Sequence, residues 1–283
     1  MKLRNLIIAV LSAAAIIVSL LLWTEDGKNE GLLVVTALDV GQGDALLMRT
    51  PYGSDVLIDG GPSSRVIERL SERLPLSDRD IELVIVTHTD YDHVGGLPAV
   101  AARYRIDHVL DSGAVSMSTA FEQWSEAIEE QGSERTVARA GTTLTIDDVR
   151  FDVLWPERDP TTEKLKVNDT SVVVRVTYGS TSFMFTGDIS SSVEEWLIEN
   201  RSLSHSDVLK VAHHGSAYSS SSAFLDAVMP RYALISAGKN NSYGHPHKVV
   251  LDRLQKRNID VLRTDEQGDI VLTSDGISVH KTP

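Results

Sequence analysis

The stretch that most constrains this chain is Thr87-His88-Thr89-Asp90-Tyr91-Asp92-His93-Val94-Gly95-Gly96. It follows an apolar run, Ile81 to Val86, with the length and composition of a buried strand. Four side chains able to bind a metal then fall within six positions, and a tight turn converges them on one point. Imidazole and carboxylate are the donors that borderline and hard divalent cations accept. The plainer reading is a polar surface turn, but four ligands directly behind a buried run are hard to explain as solvation. Gly95-Gly96 supplies backbone freedom to close the turn.

Other parts of the chain repeat this signal more weakly. His213-His214-Gly215-Ser216 follows the apolar run Asp207 to Val211, and adjacent histidines at a strand end are the second strong metal signal. Asp188 comes directly after the strand Ser182 to Phe185 and a Thr-Gly pair. Asn168 opens the strand Val172 to Tyr178, and His245 closes the loop Gly238 to Gly244. Asp39 and Asp44 flank a two-glycine loop, and Asp59 ends the hairpin strand Asp55 to Ile58. At a strand end Asp59 is placed to hold a ligand's imidazole. Each of these, taken alone, is a common turn residue. His108 stands alone in a short apolar run and reads as structural.

The chain has no cysteine, which removes disulfides, thiolate ligands and a cysteine nucleophile. Any metal must sit on His, Asp, Glu, Asn or water. A net charge of −13 argues against a generally basic, nucleic-acid-coating surface but leaves room for a local basic track. Residues 1–27 read separately. Lys2 and Arg4 precede an uncharged run from Leu6 to Trp23, near the lower limit for a spanning helix. The expectation is a single-pass membrane anchor with the positive side cytoplasmic and residues 28–283 outside. A signal peptide, cleaved to release a secreted protein, is the alternative. However, the Ala13-Ala14-Ala15 piece lies mid-run and no small-x-small site follows Trp23.

Strand-rich and helix-rich pieces alternate twice between Leu32 and His280, in two halves of similar content. Helices are expected at Ser63 to Leu74, Val94 to Tyr104, Thr119 to Glu130, Ser191 to Asn200 and Ser221 to Val228. A last one runs to Arg257, with Pro246 in its first turn. The fold class is α/β (α+β): two mixed sheets face to face with helices outside. The ligand-bearing loops all follow strands, so they gather at one edge of the sandwich.

Together these residues resemble the metallo-β-lactamase superfamily of hydrolases, and more narrowly the hydrolase domain of the ComEC family of competence DNA-uptake proteins. The matching pieces are Asp39 to Ala45, Leu57 to Gly61, the central motif, Asn168 to Ser171, Thr186-Gly187-Asp188, Lys210 to Ser216 and Asn241 to Pro246, in family order. The competence proteins also carry a polytopic channel domain. This chain has one candidate span, so the resemblance is to the hydrolase part standing alone. It implies a four-layer αββα sandwich with a two-metal site at one edge. It implies that His88, Asp90 and Asn168 hold one metal and that Asp188 bridges. Asp92, His93, Asp188 and one of the 213–214 pair hold the other. His213 is the expected ligand, which leaves His214 facing substrate.

The expected cofactors are two divalent ions, Mn²⁺ or Zn²⁺ with Mg²⁺ as a further candidate, since Asp90 hardens the first site while three imidazoles keep zinc in range. Two such ions share a water and lower its pKa, giving an activated hydroxide. Asp92, His214 and His245 are the catalytic candidates, with His245 and His214 as proton donors to the leaving oxygen. Asp39, Asp44, Asp59, Ser216 and Lys239 are expected to support ligands or touch substrate. The substrate read this way is an anionic phosphodiester, DNA first, with Lys239, Lys248, Arg253, Lys256 and Arg257 as a phosphate track. No aromatic-rich stacking groove is visible in the sequence. The alternatives are a teichoic-acid phosphodiester, a lactone, or a metal-bound accessory without turnover. No protein partner is inferable.

Overall fold

Apolar runs short enough for strands and buried on both sides dominate the chain, and each takes its place in one of two sheets. The computed structural model describes residues 31–163 and 165–282. The anchor expected at residues 1–27 lies outside the described residues. Among the described residues no helix is long and apolar enough to cross a membrane.

The first sheet contains β1 (Leu33–Ala37), β2 (Leu46–Arg49), β3 (Asp55–Ile58), β4 (Asp80–Val86), β5 (Arg105–Asp111) and β6 (Glu134–Val137). The second contains β7 (Thr143–Ile146), β8 (Val149–Trp155), β9 (Val173–Tyr178), β10 (Thr181–Phe185), β11 (Val208–Lys210), β12 (Tyr232–Ile235) and β13 (Asp260–Arg263). The last two strands, β14 (Ile270–Ser274) and β15 (Val279–Lys281), cross back and extend the first sheet beyond β1. The chain is therefore not two self-contained halves: β1 pairs with β14 in antiparallel register, Val35 opposite Leu272. Both sheets are mixed. β3, β4, β5 and β6 run parallel in one, and β10, β11, β12 and β13 in the other.

β4 shows why its sequence is almost continuously apolar. Leu83 and Ile85 point into the core between the sheets, while Val84 and Val86 point out to the helices. A strand buried on both faces needs apolar residues at both parities. The inter-sheet core also takes Met48 and Ile58 from the first sheet and Phe151, Phe183 and Phe185 from the second. Outside the first sheet lie α1 (Arg65–Arg73), α2 (Tyr91–Val94), α3 (Leu97–Arg103) and α4 (Thr119–Gln131). They bury Val66, Leu70, Val94, Leu97, Val100 and Trp124. Outside the second lie α6 (Ser191–Glu199), α7 (Ser222–Val228) and α8 (Lys248–Gln255). Two short helices, α5 (Pro160–Glu163) and α9 (Thr264–Gln267), fall where loop or strand flank was expected.

The helix expected over Val94 to Tyr104 is broken into α2 and α3 by Gly95-Gly96. Both glycines keep right-handed helical dihedrals, so conformational freedom is not their use. A side chain at Gly96 would put its Cβ 2.1 Å from the carbonyl oxygen of Gly60, so close packing excludes one. Pro246 lies before α8 rather than in its first turn; His247 caps that helix through its ring nitrogen.

The carboxyl ends of β3, β4, β10, β11 and β12 lead into the loops bearing Asp59, His88 to His93, Asp188, His213-His214 and His245. Open α/β sheets bind their ligands at such ends. The loop after His214 is fixed by an unusual group, the fully buried Glu194 of α6, which accepts from the backbone N–H of Ser220 and Ser221. Glu194→Ala leaves one buried and one part-buried donor without a partner and is expected to lower unfolding free energy by about 1–3 kcal/mol in urea titrations. Glu194→Gln, which keeps an acceptor oxygen, is expected to lose less. Equal losses in the two variants would show that these hydrogen bonds do not hold the loop.

Candidate metal centre

The site is built outward from a carboxylate at the end of β3. Asp59 is buried, with φ of 59°. Its Oδ1 accepts from Thr87 N–H at 2.8 Å and its Oδ2 from the Thr87 hydroxyl at 2.6 Å. The same Oδ2 lies 2.7 Å from His93 Nδ1. A carboxylate only accepts, so His93 carries its proton on Nδ1. The Thr87 hydroxyl donates its hydrogen bond to Asp59, so its oxygen accepts from His88 Nδ1, 3.0 Å away. Two buried imidazoles, with ring centroids 4.1 Å apart, thus hold Nδ1 inward. Their Nε2 atoms are buried without a hydrogen-bond partner.

His213 and His214 follow β11 with φ, ψ of 51°, 46° and 54°, 22°. Left-handed backbone at two successive non-glycine residues is strained by about 1–2 kcal/mol each. The turn sends the two rings to different places. His214 is buried, with Nδ1 3.0 Å from Ser236 O and 3.3 Å from Asp44 Oδ1, both acceptors. Its Nε2 therefore faces outward unprotonated in the neutral ring, 3.2 Å from Asp92 Oδ2 and 3.4 Å from Asp188 Oδ2. Asp188 Oδ2 also lies 3.4 Å from His93 Nε2, and its Oδ1 is buried without a partner.

Three imidazole Nε2 atoms and the Asp92 and Asp188 carboxylates therefore converge on one space. Donor atoms of His88, His93 and Asp188 lie within 4.8 Å of one another, as do those of Asp92, His93 and His214. These residues fit divalent cations in their donor type, in their fixed tautomers and in the bare buried Nε2 and Oδ1 atoms. The electrostatics say the same. Burial alone would lower the pKa of His93, but Asp188 and Asp59 raise it well above the ordinary range. His214 is likewise raised by Asp188 and Asp44 against the effect of burial. Burial opposes ionisation of Asp188, yet His214 and His93 hold it well below the usual carboxylate range.

The remaining expected residues sit around this cluster in unequal ways. Asp90 is half-exposed at the rim, Oδ2 3.6 Å from His88 Nε2. His213 is partly exposed, 3.8 Å from Asp188 and 3.3 Å from the amide of Asn168. The placement of the pair is the reverse of the expected one: His214 lies against Asp92, and His213 is on the open side. His245 packs its ring 5.5 Å from His213 and 6.3 Å from His214. Burial, then His213 and His214, lowers its pKa to about 4, so it is neutral at pH 7 and a poor proton donor. Asp39 is spent on Arg65, at 2.8 Å, and Ser216 accepts from Tyr218 N–H in its own turn. Lys239 is exposed and lines an open groove of about 530 Å³ with Gln42, Arg65 and Asn241.

Three of the five cations of the expected basic track are paired within the protein. Lys248 pairs with Asp252 at 2.6 Å and Arg257 with Asp226 at 2.7 Å, while Arg253 donates to the carbonyls of Ser219 and Ser220. Two further features lie outside the sequence expectations. Lys210, a lone cation inside an apolar strand, is buried at 1% exposure with Nζ 2.6 Å from Asp44 Oδ2. The metal-bearing loops expose tyrosines: Tyr91 between two candidate ligands, Tyr218 after Ser216, and Tyr243, whose ring stacks 5.8 Å from His245.

Comparison with known proteins agrees with this geometry. Residues 38–239 match the Metallo-beta-lactamase superfamily. The chain is 34% identical over 254 residues to ComE operon protein 3 of Bacillus subtilis, covering 83% of this chain and 32% of that protein. It is 31% identical over 243 residues to competence protein ComA of Neisseria gonorrhoeae, covering 85% of this chain and 32% of that one. The chain thus spans about a third of the length of these relatives. The metallo-beta-lactamase fold protein YhfI of Bacillus subtilis superposes with a TM-score of 0.56 at 16% identity, over 86% of this chain and 99% of YhfI, and shares the fold. The chain belongs to the metallo-beta-lactamase superfamily and is homologous to these competence proteins.

Proposed function

We propose that this chain is a metal-dependent phosphodiesterase that cuts DNA, in single-stranded form, outside the cytoplasmic membrane to which residues 1–27 tether it. The observation that carries the reading is the convergence of three buried, partnerless or carboxylate-facing Nε2 atoms on Asp188 and Asp92. His88, with Asp90 and Asn168 at the rim, would hold one divalent ion. Asp92, His93 and His214 would hold the other, with Asp188 between them. Manganese or zinc suits this mixed donor set, and magnesium suits it less because of its imidazoles. Such ions supply Lewis acidity and water activation when bound.

The chain's own groups then divide the remaining work. His93 and His214 present Nε2 because acceptors hold their Nδ1 protons. His213 lies on the open side, beside the Asn168 amide, and would face the substrate. His245, neutral, offers a hydrogen bond rather than a proton to the leaving group. The surface supports an unpaired strand. Three of the five expected phosphate-track cations are engaged within the protein, so the electrostatic contribution to backbone binding is small. Tyr91, Tyr218 and Tyr243, 61%, 81% and 69% exposed, offer rings on which unpaired bases can stack, worth about 1–3 kcal/mol per base.

Three outcomes test this reading. With Mn²⁺ or Zn²⁺, residues 28–283 are expected to cleave a single-stranded oligonucleotide faster than its duplex. Asp92→Ala and Asp188→Ala should each reduce the rate by about 100-fold or more, beyond the loss typical of outer partners of a metal ligand. Turnover confined to a teichoic-acid diester or a lactone would replace DNA as the substrate, and tight metal binding without any turnover would remove the enzyme.

Metal and protons compete for His93 and His214. Their raised pKa values stabilise the metal-free fold below pH about 6.5, the unfolded value, and that stabilisation is lost as pH rises through the folded values. The gap in melting temperature between metal-loaded and chelator-treated protein should therefore widen from pH 6 to pH 9. A gap that is flat or narrows with pH places the metal elsewhere. For topology, protease added to intact spheroplasts is expected to digest the catalytic part; digestion only after lysis reverses the proposed orientation.

A further inference from the structure

Lys210 is the one feature of this region that the hydrolase reading leaves unused. Its ammonium is fully buried at the end of β11, three residues before His213. Nζ donates to Asp44 Oδ2 at 2.6 Å and to Val211 O at 3.1 Å. Asp44 is equally buried, and its other oxygen, Oδ1, has no hydrogen-bond partner of good geometry although it sits 3.3 Å from His214 Nδ1. Burying both charges is costly, and apolar side chains of the same volume generally hold a fold as well or better. The pair therefore calls for a use beyond packing.

Its surroundings supply one. The Asp44 backbone is locked to the loop carrying Asp92: Asp44 N–H donates to Asp92 O at 3.2 Å, and a Cβ at Gly43, whose φ is 132°, would lie 2.1 Å from that same oxygen. The Asp44 carboxylate thus has its main chain on the Asp92 loop of one sheet and its side chain against His214 of the other. His93 has a simpler arrangement, a direct 2.7 Å contact to Asp59 with no cation behind it. Without Lys210, both Asp44 oxygens would be free, and its donor atoms already lie within 4.8 Å of those of Asp188 and His214. The carboxylate could then swing in as a ligand itself. The ammonium occupies Oδ2 and leaves Oδ1 facing Nδ1.

We propose that Asp44, clamped by Lys210, is a positioning residue for the metal centre: it fixes His214 with its proton on Nδ1 and Nε2 toward Asp92 and Asp188. This rests on the metal-dependent reading above, but it is tested by metal binding rather than by turnover. In the full chain, Asp44→Asn/Lys210→Met removes both buried charges with little change of shape. The expected result is a melting temperature without metal close to that of the wild type, and Mn²⁺ and Zn²⁺ dissociation constants, from competition with a chelating dye, about 10–100-fold weaker. Asp44→Asn alone, which leaves the ammonium unpaired, should lose both stability and affinity.

An affinity equal to wild type in the double variant would overturn the proposal and leave the pair as packing. Should the double variant not fold, ¹⁵N NMR of the wild-type histidines decides. A Zn²⁺-induced shift at His214 Nε2, with an Nδ1–H resonance that moves in Asp44→Glu, supports the assignment; a shift at Nδ1, or an Nδ1–H resonance indifferent to Asp44→Glu because Ser236 O alone holds it, overturns it. A wild-type chain that binds neither metal overturns this proposal and the hydrolase reading together, whereas binding without turnover removes only the reaction.

Discussion

The interaction on which the rest of this site depends is the one at Asp59. A carboxylate buried at the end of β3 must be satisfied, and four groups converge on it: the Thr87 N–H, the Thr87 hydroxyl, the His93 ring and, through Thr87, the His88 ring. That network links neighbouring parallel strands β3 and β4 beyond their last ladder bond. It also sets which nitrogen of each imidazole is free. Without an acceptor behind Nδ1, either ring could turn or change tautomer, and the bare Nε2 atoms would no longer be directed at one place.

The second sheet reaches the same end by another route. The carboxylate behind His214 stands farther off than Asp59 does from His93, so the ring is held jointly by Ser236 O, by Asp44 and by a strained backbone. Two left-handed residues in succession are tolerated because what surrounds them is over-determined. Thr186 and Ser171 tie the Asp188 loop to β11 and to the Asn168 turn, and Glu194 anchors the stretch after Ser219. The strain separates two adjacent rings that a regular strand would send to opposite faces, so that one is buried among the carboxylates and the other stays at the surface.

This division marks the limit of what the residues disclose before folding. His88, Asp92, His93 and Asp188 were legible because each directly follows a buried strand, and strand ends in such a sheet must meet at one edge. Asp59 was legible for the same reason. Which of His213 and His214 lies inward was not, since it depends on backbone dihedrals that non-glycine residues rarely adopt. Charge on a helix face does not reveal whether a partner stands opposite, as Asp226 does for Arg257. The late return of β14 and β15 to the first sheet was invisible because period-2 patterning does not name a strand's neighbour. Lys210 stands among Val208, Leu209, Val211 and Ala212 with nothing in the sequence to name its partner, and only its contact with Asp44 gives it meaning.

Under the proposed function an acidic protein acts on an anionic polymer, which would require local reversal of its own field. The net charge of −13 and the carboxylates at the site both repel phosphate, and screening limits the first but not the second. Two divalent ions would bring four positive charges against three from Asp90, Asp92 and Asp188, leaving the rim positive only while they are bound. Substrate affinity is then tied to metal loading rather than to surface lysines. Away from that point the polymer must be held by something indifferent to charge, and the exposed tyrosine rings on the metal-bearing loops have that property. Under that proposal the same balance would favour flexible single strands over duplex, because a duplex keeps its bases stacked on one another and presents mostly phosphate to a surface that repels it.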